Sequence, residues 1–176
     1  MKILIVNTFD IKGGASRAAY RLHRALLAQN ANSKMLVQSK SSDDYTVISE
    51  SNRLKKAFNN LRPFIDSIPV LCRRKSIKTT FSPSVVPFSQ IIYKINELNP
   101  DIVHLHWICA GMMRVEDLVK IKAPVVWSLH DNWGFTGGCH VKWECDKYKD
   151  RCGACPRLES LKENDLSRRV WNRVST

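Results

Sequence analysis

No stretch of this 176-residue chain is apolar for long enough to span a bilayer. The opening residues, Met1 to Asn7, hold a short apolar run with no small-residue cleavage site after it, so they read as a buried strand and not as an export signal. With no export signal, the expected setting is the cytosol, where disulfides are disfavoured. The dinucleotide fingerprint Gly-x-Gly-x-x-Gly is missing, and so is the lysine of a phosphate-binding P-loop. Internal repeats and low-complexity segments are absent too. Acidic residues are few: 16 against 28 basic ones, a net charge of +12.

That excess is a patch. Residues 51–80 hold Arg53, Lys55, Lys56, Arg62, Arg73, Arg74, Lys75 and Lys78 against one acid, Asp66, so +7 of the +12 lies there. In the same segment Leu54, Phe58, Leu61, Ile65 and Ile68 recur at three- and four-residue steps. The spacing predicts a basic amphipathic helix over 52–80, or two helices broken at Pro63 and Pro69. One reading is a helix packed on its own core with a solvated basic side. The other is a face, residues 52–78, that meets an anionic membrane surface.

The 44% hydrophobic content supports one ordinary domain with a real core. Residues 2–8 read as a central parallel strand, buried on both faces. Gly13-Gly14 then makes a tight turn before a helix with Ala15, Ala18, Leu22, Ala25 and Leu26 along one face. Further strands are expected at Lys34–Ser39, Tyr45–Ile48, Asp101–Trp107 and Val125–Leu129. Helices are expected around 91–98 and Val115–Lys120, and Phe81 to Phe88 reads as a Pro-rich loop. Helices alternating with apolar strands predict an α/β fold with a doubly wound parallel sheet. In such sheets ligands sit beyond the carboxyl ends of the strands. Gly13-Gly14, His106-Trp107 and His130-Asp131 all fall on that edge, and their convergence marks the candidate site.

The segment 130–156 is the densest in reactive groups. Cys139, Cys145, Cys152 and Cys155 are spaced C-x5-C-x6-C-x2-C, and the final C-x-x-C is the usual half of a tetrahedral zinc knuckle. Structural zinc on these four is the leading expectation, with His140 as a substitute ligand. Disulfide and free thiols come next, and a redox role last. Cys72 and Cys109 stand alone.

Several of these stretches resemble the N-terminal half of a family 4 glycosyltransferase of the GT-B type. They are Met1–Asn7 with Gly13-Gly14-Ala15, Asp101–Trp107, and Val125–Asp131. Trp133-Gly134-Phe135-Thr136-Gly137-Gly138-Cys139-His140, with the trailing cysteines and Cys155-Pro156, is similar to bacterial enzymes that build capsular, exopolysaccharide or lipopolysaccharide chains, colanic-acid-type enzymes among them. The resemblance implies two Rossmann-like domains facing across a cleft. This chain would be the acceptor-side one, and the donor-binding C-terminal domain lies outside it. The expectation is therefore an incomplete GT-B N-terminal domain, 1–176, whose activity alone is open.

The resemblance further implies transfer of a sugar from a nucleotide-sugar to a polysaccharide or lipid-linked glycan acceptor, with no metal or other cofactor required for transfer. It implies His130 near the transferred sugar with Asp131 beside it as the catalytic pair. Gly13, Gly14, Arg17, His106, Trp107, Thr136, Gly137 and Gly138 would line the donor and substrate. A cytoplasmic protein, peripheral at the inner face of the plasma membrane, follows. The alternative is a zinc-containing basic binding module without catalysis. Nucleic acid is disfavoured as its partner, because the basic residues lie far in sequence from the cysteines and no recognition helix or aromatic stacking motif is present.

Overall fold

A computed structural model of the chain describes residues 1–71, 80–87 and 89–175. Five strands, all parallel, form one sheet: β1 (Lys2–Phe9), β2 (Asn32–Ser39), β3 (Val47–Ile48), β4 (Ile102–Leu105) and β5 (Val125–Trp127). Their order across the sheet is β3-β2-β1-β4-β5. The chain winds outward from β1 in one direction and then restarts on its other side. The crevice between the ends of β1 and β4 is therefore a topological switch point.

The continuous apolar run of β1 is explained by burial on both faces. Leu4 and Val6 point to one side, where they meet Leu36, Val103, Leu105 and α3 (Ile91–Leu98) through Ile91, Ile92 and Ile95. Ile5 points to the other side, with Met35, Val37, Val47 and α1 (Gly14–Ala28) through Ala19. Alternate residues of one strand thus serve two cores.

In α1 the buried stripe is Ser16, Ala19 and His23, with Leu22 and Leu26 half in, so Ala18 is exposed and the expected face is shifted by one residue. His23 decides the shift. Its ring bridges Ser33 Oγ and Thr46 Oγ1, both at 2.8 Å, which satisfies a polar ring inside the core.

The basic segment forms one helix, α2 (Arg53–Leu71), which runs through Pro63 and Pro69 without breaking. Its middle is held by two buried charges. Arg62 donates to the carbonyls of Gly111, Pro87 and Val86, and Asp66 accepts from the Ser84 and Val85 N–H groups. Five bonds to other segments offset the two intrahelical bonds that the prolines remove. The expectation of a helix laying its apolar stripe on its own core holds for Ile65 alone, which is half-buried, and fails for Leu54, Phe58, Leu61 and Ile68, which are exposed, as are Phe64 and Leu71. Cys72, Arg73, Arg74, Lys75 and Lys78 lie outside the described residues.

Beyond β5 the chain has little regular structure until α4 (Leu166–Val174), whose N-terminus is capped by Asp165. Three short 3-10 turns, Trp133–Phe135, Lys147–Lys149 and Pro156–Leu158, punctuate it. Among the described residues, no helix is long and apolar enough to cross a membrane.

Candidate functional site

The C-terminal edge of the sheet is tied together by polar side chains at the strand ends. Asn7, a polar residue in the apolar run of β1, donates to Phe9 O and Ser16 Oγ and accepts from the Trp107 N–H at 2.7 Å. Thr8 donates to the carbonyls of Trp107 and Cys109. These two residues, which motif reading passed over, lock β1, the start of α1 and the end of β4 into one rigid edge. Their signal was present as a polar pair interrupting a buried strand. Asp10 is buried and accepts from the Ser41 and Ser42 N–H groups. Burial alone would raise its pKa, but those bonds hold it below the usual carboxylate value.

Gly13 opens α1 at φ 92°, a torsion that favours glycine. A Cβ on either Gly13 or Gly14 would meet nothing within 4 Å. Packing within the chain therefore does not explain Gly14, and the space over the first turn of α1 is open. The Arg17 N–H is bonded to Gly13 O, and the N–H groups before it have no intrahelical acceptor. Such a helix start favours an anion. Arg17 is exposed on the same turn. Phe9 stacks on Trp107 at 6.3 Å, with Lys12 over the Phe9 ring, so the glycine turn and the β4 end are neighbours.

His106, directly after β4, and His130, three residues past β5, which ends at Trp127 and not at the expected Leu129, form a pair: Nδ1 of His106 lies 2.8 Å from Nε2 of His130, with the rings stacked at 5.0 Å. His104 packs on His106 at 4.4 Å and bonds Ser128 Oγ. His106 is 5% exposed, and its Nε2 finds no partner among the described residues. Burial, then the neighbouring His104 and His130, pushes its pKa down to about 4, so it is neutral at pH 7. An orphaned buried N–H costs more than an orphaned lone pair, so Nε2 is the bare nitrogen and the Nδ1–H donates to His130. The His130 side chain is exposed.

Asp131 faces inward. It accepts from Trp107 Nε1 and the Trp133 N–H, both at 2.9 Å, and from His140 Nδ1 at 2.5 Å. His140 Nε2 in turn lies 2.8 Å from Ser82 Oγ. Burial would raise the Asp131 pKa, but the bonds from His140, Trp133 and Trp107 keep it below the usual carboxylate value. The order Ser82–His140–Asp131 has the geometry of a nucleophile relay. Ser82 and His140 are both buried, and the Ser82 backbone is occupied by the Gly138 carbonyl and the Trp133 indole, so the three act as a brace. His140 is thereby engaged away from the thiols, by Asp131 and Ser82.

Thr136, Gly137 and Gly138 are buried too. Thr136 Oγ1 donates to Cys139 O. A Cβ on Gly137 would strike Ser167 O, and one on Gly138, at φ 108°, would strike the Phe81 ring. Their chain contacts are therefore structural. A small recess at the sheet edge is lined instead by His106, Trp107, Leu129, His130, Asp131 and Gly134.

Cys139, Cys145, Cys152 and Cys155 line one cavity of about 20 Å³, together with Thr136, Tyr148 and Ser167. All four are free thiols. Cys139 donates to Cys155, which lowers the Cys155 pKa and raises that of Cys139, and burial pushes Cys152 up to about 11. Among the described residues no three His, Cys, Asp or Glu side chains stand at metal-holding geometry. Cys109 is a buried thiol whose pKa burial raises strongly.

No protein-family model matches the chain, and no solved structure matches it. It is 26% identical over 178 aligned residues to a protein of Escherichia coli (strain K12) described as a putative colanic acid biosynthesis glycosyl transferase WcaC. The alignment covers 91% of this chain and 40% of that protein, so the chain spans about two fifths of the relative's length. The similarity supports a glycosyltransferase relationship of the colanic-acid type, and the all-parallel α/β sheet is compatible with one half of a GT-B enzyme.

Proposed function

We propose that this chain is the acceptor-side half of a sugar-transfer site, working on a nucleotide-sugar donor and a polysaccharide or lipid-linked glycan acceptor. The observation that carries the reading is the open space over Gly13-Gly14 at the start of α1, on the same sheet edge as the exposed His130. Transfer of a sugar from a nucleotide passes through a cation-like sugar while a diphosphate departs. Free backbone N–H groups at a helix start, with Arg17 beside them, suit the departing anion. His130 would meet the sugar, aimed by His106, while Asp131 sets the position of the loop instead of touching substrate. Trp107 forms the floor between them.

The test is nuclear magnetic resonance titration of the chain with inorganic pyrophosphate and with nucleotide-sugars. The expected result is that the Gly13, Gly14 and Arg17 amides and the His130 ring shift together and saturate. Shifts confined to other surfaces, or none at millimolar ligand, would sink the assignment.

The four thiols carry a separate proposal. A run of some thirty residues with only short turns has little core of its own, and a cysteine cluster around one cavity suits a staple. Structural zinc fits that role by donor chemistry, although the sulfurs are not drawn to ligand geometry. Elemental analysis of protein purified without chelator should find one zinc per chain. Metal-free protein with an unchanged melting temperature would remove zinc from the account.

A further inference from the structure

Helix α2 is turned inside out. Its buried residues are a cation and an anion, Arg62 and Asp66. Its outward side carries Leu54 at 83% exposure, Phe64 and Leu71 at 62% each, and also Phe58, Leu61 and Ile68. At 100° per residue these six fall on one side of the helix, along roughly 25 Å of its length. Single exposed apolar residues are ordinary, but six on one face are an interaction surface.

The exposed charges of the helix itself have one sign. Arg53, Lys55 and Lys56 are exposed at its N-terminal end. The only acid in the helix, Asp66, is withdrawn into the protein, where the Ser84 and Val85 N–H groups hold it. On the adjoining side a groove of about 500 Å³ runs between α2 and α3. Leu54, Phe58, Ile91 and Tyr93 give it apolar walls, and Lys55 and Lys94 stand at it. The carboxylates there are Glu50 and Glu97, and Glu97 is paired with Lys94 at 2.8 Å.

We propose that α2 is a membrane-surface helix that seats the chain on an anionic lipid bilayer. Leu54, Phe58, Leu61, Phe64, Ile68 and Leu71 would enter the acyl boundary, with Arg53, Lys55 and Lys56 meeting lipid phosphates. Charge complementarity selects this occupant. A second copy laid antiparallel on the same face would cover the apolar residues but offer Arg53, Lys55 and Lys56 no anionic partner, because the only acid of the helix, Asp66, is buried, whereas an anionic headgroup layer over an apolar interior matches both features at once. The placement also has a consequence for the candidate site. Arg62 bonds the Gly111 carbonyl beyond β4, and Asn60 meets Ser39 at the end of β2, so α2 borders the same sheet edge. A chain seated through α2 would hold that edge close to the bilayer. The proposal does not rest on the sugar-transfer reading, because lipid binding is measured without any sugar.

The experiment is flotation of the full chain with vesicles of mixed phosphatidylcholine and phosphatidylglycerol, compared with pure phosphatidylcholine. The expected partition onto the anionic vesicles is at least about tenfold higher and weakens with added salt. A Leu61→Ser, Phe64→Ser double variant changes only exposed side chains. It should keep the circular dichroism and melting temperature of the parent and lose about tenfold or more of the partition. Lys55→Glu with Lys56→Glu should abolish the preference for anionic lipid. Equal partition onto neutral vesicles, no partition at all, or a Leu61/Phe64 variant that binds like the parent would each overturn the proposal. So would a dimer in light scattering that this variant dissolves while the parent ignores vesicles.

Discussion

His130 and Asp131 are neighbours in the chain and opposites in the structure. His130 stands exposed at the sheet edge, and among the described residues its ring meets that of His106, nitrogen to nitrogen at 2.8 Å. Asp131 turns inward and binds Trp107, the Trp133 backbone and His140, and His140 reaches Ser82. One pair is open and lightly held, the other closed and charge-assisted. The chain bends at both residues, three and four positions past the end of β5, and the bend lets one group face a ligand while the next anchors the loop. Reading the two as one catalytic unit, as their order in sequence suggests, merges two jobs that the fold keeps apart.

If that division is right, the largest effect belongs to the closed pair. Asp131→Ala leaves three donors without their acceptor: the Trp107 indole, the Trp133 N–H and His140 Nδ1. Removing this half-buried charged partner from three enclosed donors costs up to about 5 kcal/mol. For a chain of this size that is a fall in melting temperature of roughly 10 °C. A variant that melts within about 2 °C of the parent would mean that the brace holds nothing, and the contrast with His130 would collapse.

Acid should separate the two pairs next. His106 has its folded pKa pushed down to about 4 by burial, against an ordinary 6.5. Between those values the unfolded chain takes up a proton that the folded one refuses, so stability falls as pH drops from about 6.5 to about 4. A shift of this size corresponds to a few kcal/mol, on the order of 3. His23 and His104 are lowered by burial and add to the loss with the same sign. Asp131 acts in a different window. Its folded pKa lies below the ordinary 3.8, so its contribution is intact above that value and is lost as pH falls through the lowered one. Urea melts at stepwise pH should show the slope between 6.5 and 4 shrink, without vanishing, in His106→Phe. A slope that is unchanged in that variant would show that the buried ring is not its main source.

How far the sequence revealed this depends on where each partner sits. β1 was legible because a strand buried on both faces writes its burial into four consecutive apolar residues, Ile3 to Val6. The convergence of Gly13-Gly14, His106 and His130 on one edge followed from topology, since strand ends of a parallel sheet share an edge. The face of α1 was misplaced by one residue because the partners of His23, Ser33 and Thr46, come later in the chain. The inversion of α2 was hidden for the same reason. The acceptors of Arg62 are backbone carbonyls at positions 86, 87 and 111, and carbonyls carry no sequence signal. His140 was read with the cysteines beside it, whereas its partners are Asp131 and Ser82, the latter 58 positions away. Hydrophobic periodicity is local and readable; polar satisfaction is long-range and is not.

The smallest expected effect is the one that tests the comparison most directly. His130→Ala removes an exposed ring whose polar partner among the described residues, His106 Nδ1, lies at the edge of a recess that water can enter once the ring is gone. Exposed substitutions away from caps and buried networks stay within about 0.5 kcal/mol. The melting temperature of His130→Ala should therefore sit within about 2 °C of the parent, while Asp131→Ala falls far below it. The ligand response should order the variants the other way. In the pyrophosphate and nucleotide-sugar titrations, His130→Ala should keep the Gly13 and Gly14 shifts with pyrophosphate, which has no sugar to meet the ring, and weaken several-fold the response to nucleotide-sugar. A stability loss comparable to that of Asp131→Ala would make His130 a structural residue. An unchanged nucleotide-sugar response would leave the open member of the pair without a ligand to serve.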